Sequence, residues 1–126
     1  MTKYTVSCSC GCKKELFIGF HRDPEKRNAV IRERTLAGEY GEEWKTLLTE
    51  TPEAVLTTDE QVYACSCGGF RQDPSLHLET AEKKRHYPHL CSLCGSRMRP
   101  WNPAEQQLKC PECGQPMTTE AEQLPW

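Results

Sequence analysis

A small α+β fold held together by bound metal is what this sequence predicts, on three observations. The chain is short and polar: 126 residues, of which 37% are hydrophobic and 8% aromatic, with a mean hydropathy of -0.73. Such a chain builds only a modest core and needs cross-links to fold. Nine cysteines are present, grouped at 8–12, 65–67, 91–94 and 110–113. Strand-like stretches flank these groups, and a helical pattern fills the interval between the first two.

Metal rather than disulfide is the expected cross-link. The number of cysteines is odd and they lie in closely spaced pairs. Met1-Thr2-Lys3-Tyr4-Thr5-Val6 runs towards Cys8 with no apolar export segment, so a cytoplasmic location with reduced thiols is expected. No stretch approaches the roughly 18 apolar residues of a membrane span, and no membrane partner is expected.

Taken in order, residues 4–8 and 15–20 read as strands around the first cysteine group. Asp23-Pro24-Glu25 is a helix start, with an N-cap carboxylate, proline at the first helical position and an acid in the first turn. The helix runs to Ala37 and ends at Gly38. Leu36, Tyr40, Trp44, Leu47 and Leu48 share one helical face, interrupted by Gly38 and Gly41, which predicts two helices with a break near 38–41. Thr51-Pro52 stops the second. Strands are expected again at 61–65 and 69–71, with Leu76 and Leu78 alternating around His77. Short strands follow at 97–101, 107–110 and 116–119, and 120–126 is expected to fray. The predicted organisation is a metal-binding β unit over 1–86, with a helical insertion at about 24–50, and a second unit over 87–119.

Cys91-x2-Cys94 and Cys110-x2-Cys113 are separated by 15 residues, a spacing suited to a four-cysteine zinc site. Two residues between ligands let a tight turn aim both sulfurs at one ion. Cys91, Cys94, Cys110 and Cys113 are therefore the first expected site. Cys8-x-Cys10 and Cys65-x-Cys67, each followed by glycine, are alike in sequence and form the second, with 54 residues between the pairs. Cys12 is then a spare thiol, with Cys10-Gly11-Cys12 as an alternative bite. His89 is a surface or supporting histidine rather than a ligand. Two Zn2+ ions are expected, with iron as the alternative.

The segment 88–119, with its knuckle Cys110-Pro111-Glu112-Cys113-Gly114, resembles a zinc ribbon; similar knuckles occur in rubredoxins, where iron carries one electron. The chain as a whole resembles a group of small bacterial proteins of uncharacterised function with two cysteine knuckle pairs. The features that carry the likeness are the early knuckle, Gly38-Glu39-Tyr40-Gly41-Glu42-Glu43-Trp44, the returning knuckle at 65–68, and the run from Tyr87 to Met98. This resemblance implies zinc-ribbon-like β-hairpins with a helical insertion, and it implies no activity.

Function is less legible. The formal charge of -2 falls to about -6 if two tetrathiolate zinc centres form, unlike a strongly basic nucleic-acid binder. Lys83, Lys84, Arg85, Arg97 and Arg99, with Trp101, form a local basic and aromatic stretch that is a candidate nucleic-acid contact. The bland reading is that these cations offset the metal-thiolate charge. Eight paired cysteines fill two closed tetrahedra and leave no open position for a catalytic water. The expected protein is thus a non-catalytic zinc-binding module with a protein or nucleic-acid partner and no small-molecule substrate; an iron electron-transfer protein and a metal-dependent enzyme are the alternatives.

Overall fold

The computed structural model describes residues 1–125. The chain folds as two compact units that interleave along the sequence, in place of the expected divide at 86/87. The first comprises Met1–Gly19, Glu60–Pro74 and the chain from Pro88 onward; the second comprises Phe20–Asp59 and Ser75–Tyr87.

All nine cysteines lie in the first unit. Its first sheet has the order β2-β1-β9 and its second β5-β4-β8, all antiparallel. The strands are β1 (Thr2–Ser7), β2 (Lys13–Ile18), β4 (Glu60–Ala64), β5 (Phe70–Pro74), β8 (Arg99–Pro100) and β9 (Thr118–Gln123). In each sheet the central strand runs into a Cys-x-Cys turn, and the strand on its far side leaves a Cys-x2-Cys turn. Ser7, one residue before Cys8, pairs with Thr118; Ala64, one residue before Cys65, pairs with Arg99. The second hairpin-and-knuckle module therefore sits inside the first along the chain, as one bracket inside another. The end expected to fray is instead strand over most of its length, because β9 is hydrogen-bonded along the whole of β1; Trp126 lies outside the described residues.

The two sheets are joined by reciprocal backbone bonds between Gly19 and Glu60. The Gln72 carboxamide adds a clamp, accepting from the Phe17 N–H at 2.6 Å and donating to its carbonyl at 2.7 Å. Val6, Leu16, Val62, Ala64, Trp101, Leu108, Cys110 and Met117 form one buried cluster across both modules. Tyr63, Cys65, Cys91 and Met98 form a smaller one.

The second unit holds α1 (Pro24–Leu36), α2 (Glu42–Glu50) and a sheet ordered β3-β6-β7, from β3 (Val55–Thr57), β6 (His77–Glu79) and β7 (Lys84–His86). Asp23 caps α1 by accepting from the Lys26 N–H. The helix ends in a Schellman motif: the Glu39 N–H reaches the Arg34 carbonyl and the Gly38 N–H that of Thr35. This closure needs the φ of +88° that Gly38 adopts. A Cβ there would meet only side-chain atoms of Glu42 and Lys45 at 3.8 and 3.9 Å, so the cost of Gly38→Ala is backbone strain. We expect a loss of about 1–2 kcal/mol, read by urea unfolding.

The chain turn at Gly38 also splits the expected apolar stripe. Trp44 and Leu48, one turn apart on α2, are buried with Ile31, Ala54, Leu56, Leu76 and Leu78, and Tyr40 and Leu47 pack at the edge. Leu36 precedes the turn and stays exposed. Arg32 ties α1 to the chain before β3, donating to the Pro52 and Ala54 carbonyls.

Candidate metal centres

The eight paired cysteines come together in two sets of four, and the sets are not those expected from spacing. One is Cys8, Cys10, Cys110 and Cys113; the other is Cys65, Cys67, Cys91 and Cys94, with all ligand sulfurs of a set within 4.8 Å of one another. The expected partners, Cys91/Cys94 with Cys110/Cys113 and Cys8/Cys10 with Cys65/Cys67, are corrected. The physical cause lies in the sheets. After Cys94 the chain does not fold back on the 110–113 knuckle; it joins β4 at Ala64, beside Cys65. After Cys113 it joins β1 at Ser7, beside Cys8.

The two sets are built alike. Cys8 lies 3.3 Å from Cys113 and Cys10 lies 3.6 Å from Cys110; the matching pairs Cys65–Cys94 and Cys67–Cys91 are 3.4 and 3.5 Å apart, sulfur to sulfur. Four sulfurs about 2.3 Å from one ion stand about 3.8 Å apart, so both sets fit a tetrahedral ion closely.

Each Cys-x-Cys turn is closed by the same two backbone bonds. The first cysteine's N–H donates to the residue four on (Cys12 or Gly69), and the glycine N–H three on returns to its carbonyl. Each Cys-x2-Cys turn repeats a second pattern. The Cys91 and Cys110 N–H groups donate to Ser96 and Gln115, and the Gly95 and Gly114 N–H groups return to Cys91 and Cys110. Met98 and Met117 close the hairpins by donating to His89 and Leu108.

These turns aim N–H groups at the sulfurs. The Ser96 hydroxyl and N–H, with neighbouring thiols, bring Cys94 down to about 6. The Cys113 N–H does most to bring Cys110 to about 6, against burial. At Cys67 the Gly69 N–H favours the thiolate, yet the thiols of Cys91, Cys65 and Cys94 together push it up to about 12. At Cys113 the Gln115 N–H is likewise outweighed, chiefly by Cys8 and burial, and the thiol rises to about 12. Four thiols this close do not all ionise unless a cation sits among them. The donor set fits a thiophilic ion that displaces the remaining thiol protons as it binds.

Cys12 stands outside both sets of four. It is half-buried against the main cluster, and burial first, then Cys110, raises its thiol. By its backbone bonds Cys12 occupies the place of Gly69 in the other module. A Cβ at Gly69 would lie 3.1 Å from the Cys91 sulfur and 3.3 Å from Leu93 Cδ1, so in that module an extra side chain would press on the knuckle. Cys12→Ala is expected to leave the number of bound ions unchanged by elemental analysis.

His89, two residues before Cys91, is buried rather than on the surface. Its ring stacks on Tyr63 at 3.8 Å, and Nδ1 lies 3.3 Å from Asp73 Oδ2. Burial opposes ionisation of Asp73, but His89 and Arg71 hold its carboxyl below the usual range. Arg71 donates from Nε to Asp73 at 2.9 Å and from a terminal nitrogen to the Leu90 carbonyl. This chain of contacts fixes the approach to the Cys91 knuckle, and sequence spacing carries no sign of it.

The candidate nucleic-acid residues divide. Lys83, Lys84 and Arg85 belong to the second unit, where Lys84 pairs with Glu79 and Arg85 with Glu43. Arg97, Arg99 and Trp101 belong to the first. Trp101 is 4% exposed and donates its indole N–H to the Gln106 carbonyl, so it packs the core and cannot stack on a base.

No protein-family model, curated protein or solved structure matches the chain. No helix among the described residues is long and apolar enough to cross a membrane.

Proposed function

We propose that this is a non-catalytic protein of two nested zinc ribbons, in which each four-cysteine set holds one structural Zn2+. One observation carries the reading: eight thiols close into two four-membered sets on matching backbone frames. Four protein ligands complete a tetrahedron and leave no open position for a water. Cations stand next to the cysteines along the chain: Lys13 and Lys14 follow Cys12, Lys109 precedes Cys110 and lies beside Gly68 of the other set, and Arg97 and Arg99 follow Cys94. None of these five has a carboxylate partner among the described residues.

The module's task is contact with another macromolecule, and a protein fits better than nucleic acid. Leu93 at the tip of its knuckle is 77% exposed and Leu90, which bridges to Arg97, is 55% exposed, whereas the aromatic ring expected to stack on bases is buried. This apolar and cationic mixture suits an acidic protein surface.

Protein purified without added metal should be colourless and carry two zinc ions per chain. A red protein, with iron in these sets, would transfer the reading to one-electron chemistry. Single-stranded DNA or RNA at low salt should not bind. Binding that weakens on changing Arg97 and Arg99 to alanine would move the partner to nucleic acid.

A further inference from the structure

The second unit has no cysteine, yet it presents a pair of metal-ligating side chains. His77 on β6 and His86 on β7 stand directly opposite each other in the antiparallel register. Their neighbour Leu78 points into the core and is buried, so alternation along the strands places both imidazoles on the outer face. The rings meet edge to face, with centroids 4.6 Å apart and planes at 83°, and their Nδ1 atoms face each other within hydrogen-bond distance. Two neutral imidazoles in this position share a single proton, whereas one cation uses both lone pairs at once.

We propose that His77 and His86 form a third, solvent-facing site for a divalent transition ion, chelated through both Nδ1 atoms. Directly opposed residues on adjacent strands hold their Cβ atoms about 4.5–5.5 Å apart, so the chelate is preorganised and little side-chain freedom is lost on binding. Imidazole nitrogen is a ligand suited to Zn2+, Ni2+ and Cu2+. Burial, followed by the charge of His86, lowers the pKa of His77, and Asp59 acts in the opposite sense. Asp59 accepts the Ser75 hydroxyl and supplies negative charge close to the pair. It does not join the two histidines in a set of three ligand atoms as close as those of the cysteine sets. The chelate therefore leaves coordination positions to water, unlike the closed tetrathiolate sets.

The test uses full-length protein with both cysteine sets saturated with zinc, titrated calorimetrically with further Zn2+. A third equivalent is expected, lost in both His77→Ala and His86→Ala while the first two ions are retained. In the unmutated protein, the ring resonances of His77 and His86 should shift on titration while those of His21 do not. Absence of a third equivalent, a third equivalent undiminished in both variants, or unmoved His77 and His86 resonances would each overturn the proposal. Because the cysteine sets are filled beforehand, failure here leaves the reading of those sets untouched.

Discussion

Cys110→Ser is expected to lose one bound ion and unfold the module built on β1, β2 and β9. Structural zinc contributes on the order of 10–16 kcal/mol in small peptides, while a whole domain is stable by about 5–15 kcal/mol. Losing even half of the ion's contribution removes most of the available stability. The nested arrangement makes the expectation specific. Cys8→Ser should give the same loss, and the double variant should be little worse than either single one, because one ion is lost in all three. Cys91→Ser should instead release the ion held with Cys65, Cys67 and Cys94. Metal content per chain and thermal melting read these outcomes. A Cys91→Ser variant that destabilised the Cys110 knuckle as Cys110→Ser does, with no added loss on combining them, would restore the sequential pairing.

Trp44→Ala is the second large effect, and it lies where no cysteine helps. Trp44 is buried with Ile31, Leu48, Leu56, Leu76 and Leu78, and its ring meets Tyr87 edge-on at 5.6 Å. Truncating a buried aromatic costs about 3–5 kcal/mol, much of what a unit of this size has. Urea unfolding followed by far-UV circular dichroism should show the midpoint of the helical signal fall sharply. Metal content should remain at two ions per chain. Loss of the ions as well would show that the cysteine sets depend on this core.

The local chemistry of the chain is legible in its residues. Asp23-Pro24-Glu25 starts α1, Gly38 ends it with a positive φ, and α2 follows after Gly41. The eight cysteines that gather into the two sets are also the eight expected to pair, because Cys-Gly turns of one or two intervening residues have few other uses. The pairing is not legible there. Cys8-Ser9-Cys10-Gly11 and Cys65-Ser66-Cys67-Gly68 are alike because they hold equivalent places in two copies of one module, and equivalent places do not share an ion. The same holds for the 91–95 and 110–114 knuckles. Likeness therefore pointed away from partnership, and only the long-range pairing of β1 with β9 and β4 with β8 fixes which knuckles meet.

Other departures from expectation have the same origin. Strand β9 carries Thr118-Thr119-Glu120-Ala121-Glu122-Gln123, a polar run with no apolar alternation, because every residue in it is exposed. What makes it a strand is the backbone of β1, which leaves no mark in its own side chains. Trp101 sits in a basic stretch and so looked like a stacking platform, but the pairing of β8 with β4 turns it inward.

The nested pairing is tested most directly by NMR of protein in which a spin-half cadmium isotope replaces the bound ions. Scalar couplings from each ion to cysteine β-protons name its ligands one by one. One cadmium resonance should correlate with Cys8, Cys10, Cys110 and Cys113, and the other with Cys65, Cys67, Cys91 and Cys94. A resonance coupled to both Cys91 and Cys110 would contradict the account.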